Sequence, residues 1–362
     1  MKRVLVLGCT GSIGTSTLNI ARNMSCDFSI CGLQAHSNEK KLKELSEEFK
    51  CESLLTSKNN STDALINLLE KSKPDIVVNG IAGSAGLMPS KTVLECSIPL
   101  ALANKETIVM AGELIKETAY NNSAKILPVD SEHSAIFCLR EKIGKENIKK
   151  VIITASGGPF RTLPKEEFNN VTVQMALKHP TWNMGKKITI DSATLANKGL
   201  EVIEAAKLFD LSNEQIDVVV HPQSLVHSLV QTKDGVMYGQ ISDPDMKHPI
   251  INALTWPENK ENFIESFDLF DKSLTFYKPR VNDFPLLGYA FECVKLGGSY
   301  SIAFNAANEV AVQAFLDEKI SFTTISKIVR TVLDKSWSQR AKDFETVFET
   351  DKLARSYAME LL

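Results

Sequence analysis

The sequence predicts an α/β chain that ends in a helical region, and three observations predict it. Short apolar runs, each followed by a small-residue or polar turn and then a helix-like segment, recur from residue 4 to residue 242. Beyond residues 256–281 the apolar residues take up helical spacing instead. No apolar run approaches the ~20 residues of a membrane span, and 43% hydrophobic with 23% charged residues is the balance of a globular chain with a large core.

Val4–Leu7 is fully apolar, as a buried parallel strand would be. Gly8-Cys-Thr-Gly11-Ser-Ile-Gly14 follows directly, and Thr15–Asn23 reads as a helix. Strand, glycine turn and helix together form the context in which glycines admit a pyrophosphate to a helix N-terminus. The spacing is GxxGxxG, a variant of the usual dinucleotide pattern, and a plain strand–helix turn is the competing reading. A second strand, Phe28–Leu33, runs into Gln34-Ala-His36-Ser37-Asn38. NAD sites place a carboxylate there for the ribose 2′-hydroxyl. None is present, whereas His36, Ser37, Asn38, Lys40 and Lys41 make a neutral-to-basic tip that favours NADP. Further strands at Asp75–Asn79 and Pro99–Ala103 lead into a Gly80–Gly86 loop and into Asn104-Lys105-Glu106. Ligands sit at such strand C-termini, so Lys105 is a candidate for contact with substrate or nicotinamide; a helix-start cluster is the alternative.

Lys125–Val129 reads as a strand delivering Asp130-Ser131-Glu132-His133 ahead of a helix at Ser134–Arg140. Two carboxylates two residues apart can converge on one hard cation, and either Asp130 or Ser131 can equally cap the helix. Val151–Thr154 is the next strand, with Ser156-Gly157-Gly158 after it able to wrap backbone N–H groups around an anion. The stretch from there to Lys187 is long and irregular, carries His179, Trp182, Met184 and Gly185, and suits a lid.

Residues 188–201, ITIDSATLANKGLE, read as a short strand, a polar turn and the start of a helix. At roughly 100° per residue, Asn197, Lys198 and Glu201 share about a third of that helix's circumference. Asp191, Ser192 and Thr194 precede them, so one patch offers hydroxyls, an amide, an ammonium and a carboxylate where a helix dipole favours anions. Glu201 is the candidate third carboxylate for Mg²⁺ or Mn²⁺; a capped surface helix with a Lys198–Glu201 pair is the competing reading. Asp217–Val220 and Val236–Ser242 read as strands, with His221 and His227 between them at no standard metal spacing and Met246 after them. Helices are expected at Phe284–Leu296, Ala303–Asp317, Thr323–Lys335 and Phe344–Leu362.

Net charge is −3, from 41 basic and 44 acidic residues, which argues against a nucleic-acid binder. The seven scattered cysteines form no CxxC pair, and reduced thiols in a cytoplasmic protein fit them best. The opening MKRVLVLGCTGSIG is too short in its apolar run for a signal peptide.

In this order, GCTGSIG, ALANKE, PVDSEH, ASGGPFR, HPTWNMG, DSATLANKGLE and SDPDMKHP resemble the signatures of the 1-deoxy-D-xylulose 5-phosphate reductoisomerase family, collinear over nearly the whole chain. The resemblance implies an N-terminal Rossmann-like NADPH-binding domain at residues 1–122 and a central α/β catalytic domain with a lid loop at 123–255. A linker at 256–281 and a C-terminal α-helical bundle at 282–362 follow. It implies NADPH- and metal-dependent rearrangement and reduction of 1-deoxy-D-xylulose 5-phosphate to 2-C-methyl-D-erythritol 4-phosphate, in the non-mevalonate isoprenoid pathway.

In that family pattern Asp130, Glu132 and Glu201 hold Mg²⁺ or Mn²⁺, with Co²⁺ as a further candidate. Ser156, Ser192, Asn197 and Lys198 bind the substrate phosphate near His179, Trp182 and Met184 belong to the lid, and Lys105 and Ser131 contact the substrate backbone. Thr10, Gly11, Ser12 and Ile13 hold the NADPH phosphates, Met246 lines the nicotinamide site, and Asn104, Glu106 and Gly185 join His36, Ser37 and Asn38 as cofactor candidates. The substrate is a small sugar phosphate, the expected assembly a homodimer, and neither nucleic acid nor membrane is an expected partner. Two positions depart from the pattern. Cys9 stands for a small hydroxyl, and Ser37 for a lysine, so weaker discrimination of NADPH from NADH is expected, with His36 or Lys40 as substitutes. A semialdehyde-type NADP dehydrogenase would need an activated cysteine, for which Cys138 is the sole central candidate; a non-catalytic NADP-binding regulator would need neither metal nor phosphate groups.

Overall fold

Val4–Leu7 are wholly buried because β1 (Lys2–Leu7) has a parallel neighbour on each side, β2 (Phe28–Ala35) and β4 (Ile76–Asn79). The computed structural model describes residues 1–182 and 184–362, which divide into two units. The first takes in residues 1–107, 115–134 and 245–268. Its sheet runs β3–β2–β1–β4–β5–β6, all parallel, with β3 at Glu52–Leu55, β5 at Leu100–Leu102 and β6 at Ile126–Pro128. The order reverses between β1 and β4, and a crevice at the strand C-termini opens at such a switch point. The connecting helices are α1 (Ser12–Asn23), α2 (Glu39–Phe49), α3 (Thr62–Ser72), α4 (Leu87–Glu95) and α5 (Lys105–Asn121), with α6 (Ser131–Ile143) beginning after β6.

The second unit takes in residues 108–114, 135–244 and 269–362. Its strands are β7 (Ile148–Ala155), β8 (Ile216–Val220), β9 (Val226–Thr232) and β10 (Met237–Ile241), in the order β10–β9–β7–β8. β7 pairs parallel with β8 and antiparallel with β9. Its helices before β8 are α7 (Val173–Ala176), α8 (Lys186–Ala193) and α9 (Ala196–Phe209). After β10, α10 (Lys247–Thr255) belongs to the first unit, where it packs on α1, β5 and β6. Then come α11 (Leu286–Leu296), α12 (Tyr300–Leu316), α13 (Phe322–Leu333) and α14 (Phe344–Met359). Among the described residues no helix is long and apolar enough to cross a membrane.

The expected α/β architecture with a helical end is present. Residues 123–134 and 245–268 complete the first unit, because β6 extends its sheet and α10 covers it. The C-terminal helices share one continuous core with the second sheet: Val151 and Ile153 of β7, Leu200 and Ile203 of α9, and Phe304, Phe315 and Val329 of the helices belong to the same buried cluster. Small residues along α12 (Ala303, Ala306, Ala307 and Ala311, all fully buried) let neighbouring elements approach closely.

One expected element is overturned. Ile188–Ile190 is not a strand but the middle of α8. Its β-branched residues suggested a strand, yet packing overrides that preference. Thr189 and Ile190 turn inward together, and Lys187 reaches Asp191 four residues on at 2.9 Å, a reach that a helix allows, whereas along a strand the two would stand ~13 Å apart. Asp191 and Ser192 therefore close a helix rather than forming a turn after a strand. β3 and β9 were not expected: β3 is a short, half-exposed edge strand, and β9 holds His227 within it.

Candidate active site

The turn after β1 is built around two glycines that no other residue could replace without moving backbone. Gly8 has φ +74°, and a Cβ there would lie 2.9 Å from the carbonyl carbon of Gly80, which follows β4. A Cβ on Gly14 would lie 2.4 Å from the Gly8 oxygen. Gly11 differs: its backbone is extended, and a Cβ would make only ordinary contact, 3.4 Å from Gly8 O. Nothing inside the protein demands a glycine at 11, so its bareness serves close approach from outside. Gly11 is the N-cap of α1 and offers no capping side chain, which leaves first-turn N–H groups at Ser12 and Ile13 for an anion. Thr10 lies in the turn itself. This geometry fits a pyrophosphate. Cys9 is fully buried, and burial pushes its thiol up to about 11, so it is an inert filler beneath the turn.

His36, Ser37 and Asn38 are exposed at the end of β2. Asn38 caps α2, accepting from Lys41 N–H at 3.1 Å, and His36 Nδ1 lies 3.2 Å from Thr56 Oγ1. Asn104, nearly buried, caps α5 by accepting from Thr107 N–H at 2.9 Å. Its amide donates to Ile81 O at 2.7 Å and Gly83 O at 2.8 Å. It is thus the brace of the loop after β4, and Glu106 Oε2 accepts from the same amide at 3.0 Å.

Lys105, 5% exposed, places its ammonium 2.8 Å from Asp130 Oδ2 at the mouth of α6. His133 Nδ1 approaches the same oxygen at 3.6 Å. Burial would raise the Asp130 carboxyl, but the Lys105 charge and the His133 and Lys105 hydrogen bonds outweigh it and hold it far below the usual carboxylate range. Ser131 donates to Glu132 Oε2 at 2.5 Å. Asp130 and Glu132 are therefore hard oxygen donors at the start of one helix. Met246 is half-buried just ahead of α10.

In the second unit the turn after β7 and the end of α8 are drawn together by glycine. Gly157 and Gly158 have φ +86° and +68°, and a Cβ on Gly158 would lie 2.7 Å from Ser192 O. His179 Nε2 then lies 3.0 Å from Ser156 Oγ and 3.1 Å from Ser192 Oγ. Its Nδ1 accepts from the N–H groups of Thr181 (3.1 Å) and Trp182 (2.8 Å), so the neutral ring carries its proton on Nε2. Burial lowers the His179 pKa to about 4, which keeps it neutral. As a donor to the serine oxygens, it leaves their O–H groups to turn toward a ligand.

Leu195, at φ +60°, reverses the chain between α8 and α9. One turn of α9 then presents Asn197, Lys198 and Glu201. Asn197 Nδ2 donates to Glu201 Oε1 at 2.5 Å, and the Lys198 ammonium donates to Glu201 Oε2. Lys198 is 4% exposed and Glu201 1%, so this is a buried pair, not the solvated surface pair that the spacing alone allows. Behind it, Asp191 is held by Lys187 at 2.9 Å and by Asn308 Nδ2 of α12 at 2.7 Å. Sequence reasoning had placed Asp191 but missed Asn308, 117 residues away; an asparagine in the middle of an alanine-rich helix was its only signal. Trp182 is half-buried, 6.4 Å from the His227 ring, and Met184, two positions on, is also half-buried. Gly185 caps α8 and is exposed. Position 183 of the HPTWNMG segment lies outside the described residues.

Comparison with known proteins gives this chemistry a lineage. Residues 4–112 match the model of 1-deoxy-D-xylulose 5-phosphate reductoisomerase, residues 126–209 the model of its C-terminal domain, and residues 241–357 a further DXP reductoisomerase C-terminal domain. The 1-deoxy-D-xylulose 5-phosphate reductoisomerase of Treponema denticola is 50% identical over 367 residues, covering 99% of this chain and 96% of that protein. The Clostridium tetani protein of the same name is 43% identical, covering 99% of each. A crystal structure of DOX-P reductoisomerase in complex with NADPH, fosmidomycin and magnesium superposes with a TM-score of 0.90 at 37% identity, covering 100% of this chain and 98% of that one. The Zymomonas mobilis reductoisomerase in complex with NADPH also gives 0.90, at 38% identity, covering 99% and 98%. With family models matched in chain order and half of all aligned residues shared with a full-length relative, this chain belongs to the 1-deoxy-D-xylulose 5-phosphate reductoisomerase family.

Proposed function

We propose that this chain converts 1-deoxy-D-xylulose 5-phosphate to 2-C-methyl-D-erythritol 4-phosphate with NADPH and a divalent metal, as a step of the non-mevalonate isoprenoid pathway. The observation that carries the reading is Glu201: a carboxylate 1% exposed, paired with Lys198 and steadied by Asn197, in the same unit as serine hydroxyls arranged around a neutral histidine. A merely structural helix has little use for a buried ion pair, which costs desolvation and is weak as a source of stability.

Asp130, Glu132 and Glu201 are our candidates for the metal ligands. Their all-oxygen character suits magnesium, found in the related crystal structure, and equally manganese. When bound, the metal would polarise the carbonyl and adjacent hydroxyl of the substrate while NADPH would supply a hydride. The chain does the rest. Ser156, Ser192, Asn197 and Lys198 anchor the phosphate, remote from the bonds that change, and that binding energy orients the substrate. Lys105 holds Asp130 ionised and offers its ammonium to substrate oxygens, with Ser131 beside it. Trp182 and Met184 belong to the lid, which would cover the reacting groups and exclude water. Thr10, Gly11, Ser12 and Ile13 receive the dinucleotide phosphates, and Met246 lines the nicotinamide. Asn104 and Glu106 support that site, and Gly185 is a further cofactor contact. On the family resemblance we assign the working form to a cytoplasmic homodimer, and the near-neutral charge balance argues against a nucleic-acid partner.

The test is NADPH consumption by the purified protein with 1-deoxy-D-xylulose 5-phosphate, with and without Mg²⁺ or Mn²⁺, and identification of the product. Metal-dependent formation of 2-C-methyl-D-erythritol 4-phosphate is expected. Folded protein that binds NADPH yet turns nothing over would reject the reading.

A further inference from the structure

Ser37 leaves a gap at the tip of β2, since no cation stands at that position to meet a ribose 2′-phosphate. The neighbouring strand brings one. β3 runs parallel to β2, and the chain leaving it stays tied to the tip: Thr56 N–H donates to Ala35 O at 3.0 Å and Ser57 N–H to His36 O at 2.9 Å. Lys58 comes next. Its ammonium lies 2.8 Å from Oε1 of Glu39, the first residue of α2 and the immediate neighbour of the Asn38 cap. Lys58 is thus anchored at the mouth of the turn that holds His36, Ser37 and Asn38, although it lies 21 positions from Ser37 in the sequence.

The other cations of this turn are placed less well. Lys41 pairs with Glu44 further along the helix, at 3.2 Å, and Lys43 stands 3.8 Å from Glu39 one turn in. Lys40 projects from α2 in an exposed position, with no ion pair to orient it among the described residues. An ammonium carries three donors. Lys58 can keep its bond to Glu39 and give another to an incoming phosphate, so Glu39 acts as its tether.

We propose that Lys58, tethered by Glu39, supplies the cation that recognises the 2′-phosphate of NADPH in this chain, in place of a charge at position 37. This rests on the dinucleotide reading of the first unit given above. It turns the expectation of weak cofactor discrimination into one of retained discrimination from a different strand.

The experiment is equilibrium binding rather than turnover. Affinities for NADPH, NADH, adenosine 2′,5′-bisphosphate and AMP are measured by calorimetry on wild type, Lys58→Ala, Lys58→Arg and Lys58→Ala with Ser37→Lys. The exposed site puts the expected loss for Lys58→Ala at about tenfold for NADPH and for the bisphosphate, with NADH and AMP unchanged. Lys58→Arg should keep the preference, and Ser37→Lys should restore it in the alanine background. Equal loss for NADPH and NADH, no loss for either, or a wild type that binds both dinucleotides equally would each overturn the proposal. Wild-type protein that binds neither dinucleotide would instead overturn the function proposed above.

Discussion

The turn after β1 and the cradle around His179 are both shaped for phosphate oxygens, and they are made of opposite materials. The first offers backbone N–H groups at a bare helix start, with glycines at 8, 11 and 14 and no ionised side chain in the turn. The second relies on side chains: two serines, a neutral imidazole, an amide and a buried ammonium already committed to a carboxylate. Backbone donors hold their place whatever the pH and tolerate changes of side chain, as Cys9 shows. Side-chain donors must themselves be oriented, and each is held by another: Ser156 and Ser192 by His179, and Glu201 by Lys198 and Asn197. On the proposed reading, the backbone cradle would hold the phosphates of a cofactor that arrives reduced and leaves oxidised, while the side-chain cradle would couple phosphate recognition to a carboxylate on the same helix turn.

Substitutions should expose that difference. The largest effect is expected for Glu201→Gln, which keeps the shape but removes the charge: turnover should fall by a factor on the order of 10²–10³, with weakened Mn²⁺ affinity by calorimetry. Asp130→Asn should behave alike, and wild-type activity with wild-type metal affinity in either would reject the ligand assignment. Lys198→Ala should raise KM for the phosphorylated substrate by about tenfold or more, as loss of a charge-assisted bond does; an unchanged KM would remove Lys198 from phosphate binding.

At the backbone cradle the comparison splits within three residues. Gly14→Ala should lower the melting temperature, since its Cβ would collide with backbone, at a cost of about 1–3 kcal/mol. Gly11→Ala should leave the melting temperature in place and weaken NADPH about tenfold, because only the guest is crowded. A Gly11 variant that unfolds, or binds normally, would break the contrast.

The smallest effect concerns acid. The His179 pKa falls from about 6.5 unfolded to about 4 folded, so below about pH 6.5 the unfolded chain binds the extra proton. Its contribution to stability is intact above about pH 6.5, is lost as pH drops toward about 4, and changes no further below that. Denaturant titrations between pH 7 and pH 4 should show a shallower loss in His179→Gln than in wild type, and identical slopes would argue against a neutral His179.

How far the sequence carried this reading differs between the two cradles as well. The Gly8–Gly14 turn is local: strand, glycines and helix follow one another, and its chemistry could be read directly. Asn197, Lys198 and Glu201 were legible for the same reason, being one helical turn apart. The fate of Ile188–Ile190 was not, because three β-branched residues look like a strand until Lys187 and Asp191 are seen to meet across a helical turn. Asn308 and Lys58 were invisible to local patterns: each reaches its place through pairing with a distant segment, α8 in one case and the tip of β2 in the other. The places of β6 and α10 were not legible for the same reason, since both join the first unit through neighbours far away in sequence.

The return of α10 to the first unit has a consequence for how the protein comes into being. During synthesis the six strands of the first sheet emerge before residue 134, yet the helix that packs on α1, β5 and β6 follows only after the 110 residues 135–244. At a ribosomal pace of about 5–20 residues per second, the nascent sheet waits roughly 5–20 s with that apolar surface uncovered. Ile250, Ile251 and Leu254, all buried once in place, are the missing cover. Birth order and fold order thus run against each other in the first unit, and a chain released before residue 247 would keep a sticky flank that chaperones can grip.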